Sequence, residues 1–351
     1  MVNQMNSYER VFAIFNQDKD SIDRIPCVNP VSTATIDFMK AYDAYWPDSH
    51  KDPEKMAKLA SAAHRLCGLD NITVPFDLIV EAEVLGAPVD FFEGKVKWPS
   101  IKNFTVKDVS DLKISRDVAH EGRVPIITKA LKILKEEFEG KVPINAYIAP
   151  PFTSISSYML DTSTFLLWTK IKPDKIHEIC KAAFDVYAEI VQIYGEAGAD
   201  IITFHEMGGG ADLISPKDFD RFVKPYLSGV IDKAKPPRIL SICGSADVIL
   251  EKMIECGAEA IALDERTPLK LARETVDKIK PNYPIIGNIS SRGIIHSGSI
   301  DKIREVVKRT IEGGIDMVAP GCDFWIETPT DHIKALVEST IEFGSPPPWK
   351  K

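Results

Sequence analysis

The stretch PDKIHEICKAAFDVYAEIVQIYGEAGADIITFHE, residues 173–206, decides the fold. Its first part is a long amphipathic helical pattern that runs out in glycines, the usual helix stop. Directly after the last of them, DIITFHE (200–206) is a short β-rich run. A helix that stops on glycine and leads straight into an apolar strand is half of a βα repeat.

Working outward in both directions, the same unit recurs. The sequence predicts strands at IPCVN (25–29), NITVPF (71–76), PINAYI (143–148), DIITFHE (200–206), RILSICG (238–244), EAIALDE (259–265), PIIGNIS (284–290) and DMVAPGC (316–322). Helical patterns such as PEKMAKLASAAHRLCG (53–68), SADVILEKMIECG (245–257) and IDKIREVVKRTIEGG (300–314) separate them. Near-continuous apolar strands that alternate with amphipathic helices indicate a parallel sheet covered by helices. Eight such units predict closure into a (β/α)₈ TIM barrel rather than an open sheet. An open dinucleotide-binding sheet calls for a GxGxxG turn after the first strand, where this chain has NPVSTATIDFM (29–39).

The expected organisation is one barrel domain over residues 1–351. An N-terminal helical extension (1–20) contains SYERVFAIFN and is expected to plug the barrel bottom. A long βα excursion (77–142) contains EGKVKWPSIKNF, expected to form a small hairpin, and a loose tail occupies 345–351. A net charge of −8 argues against a nucleic-acid surface. No apolar run approaches a membrane span, and MVNQMNSYERVF lacks a secretory leader's pattern, so a cytoplasmic enzyme with no membrane association is expected. In that reducing compartment the six cysteines are packed thiols, ligands or nucleophiles rather than disulfides. Cys67, Cys180 and Cys256 lie in helical patterns and read as packed thiols; Cys27 falls in the first strand.

Barrel active sites lie at the C-terminal ends of the strands. Those ends carry Phe204-His205-Glu206, Ser241-Ile242-Cys243-Gly244, Asp264-Glu265-Arg266, Gly287-Asn288 with Arg292 shortly after, and Cys322-Asp323-Phe324-Trp325. Soft thiolates beside an oxygen or nitrogen donor describe a zinc site with an exchangeable position. The metal candidates are therefore Cys243, Cys322, Glu265, Asp264, Glu206 and His205, with Cys243, Cys322 and Glu265 the catalytic set. Other readings stay open. The two cysteines can be small core residues, His205 can bond to a neighbouring strand end, and Asp264 and Glu265 can cap the next helix. Ser241, Asn288, Arg292, Phe324 and Trp325 are candidates for touching substrate. Arg292 and His296 can hold an anionic group or decorate a solvated loop. The Phe324-Trp325 pair can stack on a flat ligand as exposed aromatics or pack beneath a loop.

DRIPCVNPVSTATIDFM (23–39), YWPDSHKDPEKMAKLA (45–60), ITVPFDLIVEAEVLGAPVDF (72–91), GADIITFHE (198–206), ICG (242–244), GNISS (287–291) and GGIDMVAPGCDFWIETPTDHIKALV (313–337) together resemble the uroporphyrinogen-decarboxylase superfamily. Within it they resemble the corrinoid-dependent methyltransferases, typified by methylcobamide:coenzyme M methyltransferases. The resemblance implies zinc held by a His-x-Cys pair at the fifth strand and a cysteine at the eighth. Cys243 and Cys322 match the cysteines, but Ser241 stands where the histidine is expected. The third ligand is then sought among Glu265 or Asp264, followed by Glu206 or His205. The arginine-rich N-terminal motif of the decarboxylases is missing from NPVSTATIDFMK (29–40).

The resemblance implies methyl exchange between a corrinoid-binding partner protein and a small molecule, either a coenzyme M-type thiol acceptor or a methylated donor such as a methoxylated aromatic. A metal-free decarboxylase-like lyase and a non-catalytic docking barrel are the competing expectations.

Overall fold

The computed structural model describes residues 4–350; residues 1–3 and 351, at the ends of the expected extension and tail, lie outside the described residues. In chain order the strands are β1 (Ile72–Val74), β2 (Val89–Asp90), β3 (Ser100–Ile101), β4 (Ile144–Ile148), β5 (Ile201–His205), β6 (Arg238–Ile242), β7 (Ala260–Leu263), β8 (Ile285–Ile289) and β9 (Met317–Pro320). Seven of them form one parallel sheet in the order β1-β4-β5-β6-β7-β8-β9, with helices in the connections. These seven fall at the positions read from the sequence.

The eighth expected strand, 25–29, is reduced to a single parallel bridge between Cys27 and Val318. It still closes the ring. Val28 N donates to Val318 O at 2.9 Å on one side, and Asp70 N donates to Cys27 O at 2.7 Å on the other. The reason it does not ladder is local. Pro26 and Pro30 bring no donor, while the amides of Cys27 and Asn29 are taken by side chains, Asp70 Oδ2 at 2.9 Å and Asn71 Oδ1 at 2.8 Å. Side-chain bonds thus replace the strand pairing at the seam.

The N-terminal helix, Ser7–Phe15, opens with Asn6 and Glu9 bonded reciprocally as a capping box. Val11, Ile14 and Phe15 pack against Ile201, Ile239, Ile286 and Met317 in one apolar cluster, so the helix closes the end of the barrel where the strands begin. Arg10 of this helix reaches Asp70 (2.9 Å), as does Arg24 (2.7 Å), and Asp70 ties the plug to the seam.

Between β1 and β4 the excursion forms the antiparallel pair β2–β3 and the helix Val124–Phe138. At the other end of the chain Pro348–Lys350 make a 3-10 turn, with Trp349 Nε1 donating to Lys19 O at 3.1 Å. No helix among the described residues is long and apolar enough to cross a membrane.

Candidate metal centre

Three strand ends bring three soft or borderline donors together. β5 ends on His205, Cys243 follows β6 by one residue, and Cys322 follows β9 by two. Their sulfurs stand 3.1 Å apart, and His205 Nε2 lies 3.5 Å from Cys243 Sγ and 3.9 Å from Cys322 Sγ. Zinc–sulfur bonds of about 2.3 Å and zinc–nitrogen bonds of about 2.0–2.1 Å set tetrahedral donors roughly 3.5–3.8 Å apart. The observed spacings bracket that span, so two thiolates and an imidazole fit one zinc ion with a coordination position left over. Among the described residues this is the one group of three or more potential ligands so arranged.

Backbone chemistry places the sulfurs. Gly244 has φ +91, a conformation that turns the chain immediately after Cys243 and disfavours any residue with a Cβ. Gly321 lies so close to β7's end that a Cβ there would meet Asp264 Cα at 2.8 Å, and this approach brings Cys322 inward. Ser291 Oγ then fastens Cys322, accepting from its amide and donating to its carbonyl, each at 3.1 Å.

The electrostatics suit a divalent cation. Cys243 donates its thiol proton to Cys322, which pushes the Cys243 pKa up and, with burial opposing and His205 assisting, pulls Cys322 well below the usual thiol range. His205 is fully buried, and although burial disfavours its charge, the bond to Cys322 raises its pKa. Two thiols and a histidine that already share charge in this way form a donor set whose remaining protons a bound cation would displace.

The other expected metal ligands have different employment. Asp264 accepts from the amides of Gly244 and of Arg266 (the latter at 2.8 Å), so its carboxylate holds the Cys243 turn. Neither it nor Glu265 caps the following helix, Leu269–Ile279, whose N-cap is Pro268. Glu206, next along from His205, turns to the opposite face. It bonds to Thr153 there, and burial raises its pKa to about 8. Glu265 is exposed and lies beside Gly321, outside the three-ligand cluster.

The expected substrate contacts divide. A cavity of about 420 Å³ opens onto both cysteines and is also lined by Glu265, Arg292, Phe324 and Trp325. The two alternatives for the aromatic pair divide between its members: Trp325 is 43% exposed, whereas Phe324 is 0% exposed and packs inward, its amide donating to Ser32 O at 3.1 Å. The Arg292 guanidinium sits 5.1 Å from the Trp325 ring centroid. Asn288 faces away and donates to Thr267 O at 3.0 Å, bracing the loop after β7. Ser241 is buried beneath His205 and contacts its Nδ1 at 3.0 Å.

Two residues of the site escape a reading of strand ends. Trp98, from the excursion, lines the cavity and packs edge-on against Trp46, 4.8 Å between centroids. Asp323, beside Cys322, accepts from Ser32 N at 2.8 Å, and burial raises its pKa to about 8. Asp323 stands in the run 322–325 that follows the last strand, but no sequence pattern there marks its half-buried position. A second concavity, about 1050 Å³, lies beside the N-terminal helix at the opposite end of the barrel, where Arg10 and Arg24 are already paired with carboxylates.

The family model for uroporphyrinogen decarboxylase (URO-D) matches residues 7–343. The chain belongs to the uroporphyrinogen decarboxylase family. A methylcobamide:CoM methyltransferase of Methanosarcina barkeri (strain Fusaro / DSM 804) is 32% identical to it over 327 residues, covering 92% of this chain and 94% of that relative. A methylated-thiol–coenzyme M methyltransferase of Methanosarcina mazei is 26% identical over 346 residues, 99% of this chain and 92% of the relative. A solved methyltransferase from M. mazei superposes with a TM-score of 0.89 at 30% identity, covering 97% of this chain and 99% of that one. Within its family the chain therefore stands on the methyltransferase branch, with the barrel fold of that branch.

Proposed function

We propose that this chain is a zinc-dependent, cytoplasmic methyltransferase that moves a methyl group from a corrinoid carried by a partner protein to a small thiol of the coenzyme M type. The observation that carries the reading is the convergence of Cys243, Cys322 and His205 at the barrel mouth of a chain on the methyltransferase branch. Zinc bound there supplies Lewis acidity that lowers the pKa of a coordinated thiol and so maintains a thiolate at neutral pH.

The chain's own residues supply the rest. His205 and the two cysteines provide three donors and leave a position facing the cavity. Trp98 and Trp325 line the cavity and limit the water around a sulfur nucleophile. Arg292 offers an unpaired cation to the acidic end of a thiol, and Glu265 stands nearby as a further oxygen donor. The thiolate sulfur forms a bond to the methyl carbon as the carbon–cobalt bond breaks, cobalt keeping the electron pair.

The test is consumption of free methylcobalamin by the zinc-loaded protein with 2-mercaptoethanesulfonate, followed by absorbance. Thiol-dependent loss of methylcobalamin that disappears on chelation is expected. Two results overturn the proposal: methylcobalamin forming from Co(I) cobalamin and a methoxylated aromatic without thiol turnover, or full activity in zinc-free Cys243→Ser.

A further inference from the structure

A ligating imidazole needs its other nitrogen fixed. His205 can present a lone pair at Nε2 only if Nδ1 carries the proton, and a ring free to rotate or to exchange tautomers spends part of its time unable to ligate. In this chain His205 and Ser241 are register partners across β5 and β6. Ser241 Oγ lies 3.0 Å from His205 Nδ1, and both residues are buried. Nε2 is thereby directed to the two sulfurs, at 3.5 and 3.9 Å.

The strand geometry makes the link specific. Ser241 and Cys243 are two residues apart and so face the same side of the chain. β6 and the residue that follows it therefore supply both the hydroxyl that aims the imidazole of the neighbouring strand and a sulfur donor. A carboxylate at 241 would bring a further buried charge beside the two cysteines; a hydroxyl can accept a hydrogen bond from Nδ1–H while staying neutral.

We infer that Ser241 is a positioning residue for the metal centre: it fixes the Nδ1-protonated tautomer and the orientation of His205, and through them the affinity for zinc. The inference rests on the zinc reading above but not on the identity of the methyl donor or acceptor.

The experiment measures zinc affinity by competition with a chromogenic chelator, together with the absorption spectrum of the cobalt(II)-substituted protein. Support consists of four results. Ser241→Ala weakens zinc binding about 10–100-fold, the range for loss of an outer-shell partner. Ser241→Thr, which keeps the hydroxyl, stays within about threefold of wild type. His205→Ala weakens binding further than Ser241→Ala does, and adding Ser241→Ala to His205→Ala changes nothing more, because the hydroxyl then has no imidazole to aim. The cobalt spectrum shifts in Ser241→Ala while the melting temperature of the metal-free protein does not. Unchanged affinity in Ser241→Ala, or an equal loss in the presence and absence of His205, overturns the inference and leaves the methyltransferase reading standing. A wild-type protein that takes up no zinc overturns both.

Discussion

The two ends of this barrel treat buried charge in opposite ways. Where the strands begin, the carboxylate of Asp70 is enclosed by Arg10, Arg24, the hydroxyl of Ser7 and the amide of Cys27. Every bond there joins the plug helix, the closing seam and β1 to one another. Where the strands end, Glu81 and Glu206 are buried and Asp323 is half-buried, all without a cation bonded to them, and removal from solvent raises each pKa to about 8. Two thiols and a histidine share protons beside them. The same eight staves thus carry a satisfied network at one end and, beside the buried Asp77–Arg123 pair, several carboxyls without a bonded cation at the other. Unsatisfied groups at the C-terminal ends are where barrel chemistry resides, and the contrast can be broken experimentally.

The largest effect is expected from Cys243→Ala or Cys322→Ala. Each removes one of two thiolates from a three-donor site, and zinc affinity should fall by about 1,000-fold or more, roughly 4 kcal/mol or above. The metal-free protein should melt close to wild type, because each change deletes one end of a partly exposed thiol–thiol contact rather than a core contact. Metal content after dialysis against a weak chelator reads the first outcome and calorimetry of the apo form the second. Retention of stoichiometric zinc in either variant would sink the site.

Asp70→Ala should do the reverse. It leaves Arg24 without its carboxylate and Arg10 with Asp23 alone in a buried seam, a loss on the order of 3 kcal/mol, read from urea unfolding. The zinc affinity of the protein that remains folded should not change, since no ligand contacts Asp70. A variant that loses zinc in proportion to stability would mean that the two ends are not separable.

The pattern of apolar runs and glycine stops made the strands and helices legible, and the strand-end rule made both cysteines legible. Two things were not. Residues 25–29 carry the composition of a strand, yet their amides bond to the side chains of Asp70 and Asn71, a pairing across more than forty positions that periodicity cannot express. Which non-sulfur candidate stands beside the two cysteines was also hidden. By charge Glu265 and Asp264 rank first, but the register that sets His205 opposite Ser241, and the amides that occupy Asp264, depend on the folded barrel. Trp98 reaches the cavity from the excursion, where no strand-end argument looks.

A smaller effect should follow from Glu81→Gln. Glu81 accepts from Ala149 N at 3.3 Å and has one oxygen without a partner. Its folded pKa of about 8 lies above the ordinary 4.5, so its contribution is fully present below pH 4.5 and is lost as pH rises through about 8. Wild type should lose stability between pH 5 and pH 8, and the glutamine variant should lose on the order of 2 kcal/mol less over the same interval. Denaturant midpoints at the two pH values measure the difference; parallel curves would show that Glu81 does not titrate there.

The smallest effect tests whether the charge at the mouth is selective or only surface. Arg266 is already committed to Asp212 at 2.9 Å, which leaves Arg292, held over Trp325, as the cation available to a ligand in the cavity. Its guanidinium is solvent-exposed, so pairing with an anion is worth only about 1 kcal/mol. Arg292→Ala should therefore raise KM for an anionic thiol by about 5–10-fold with kcat unchanged, the signature of lost uniform binding. KM for a neutral thiol such as 2-mercaptoethanol should stay where it was, and added salt should erase the wild-type preference between the two. An equal rise in KM for both thiols would show that Arg292 shapes the cavity through its contact with Trp325 rather than through its charge, and would move the anion-recognising group elsewhere on the rim.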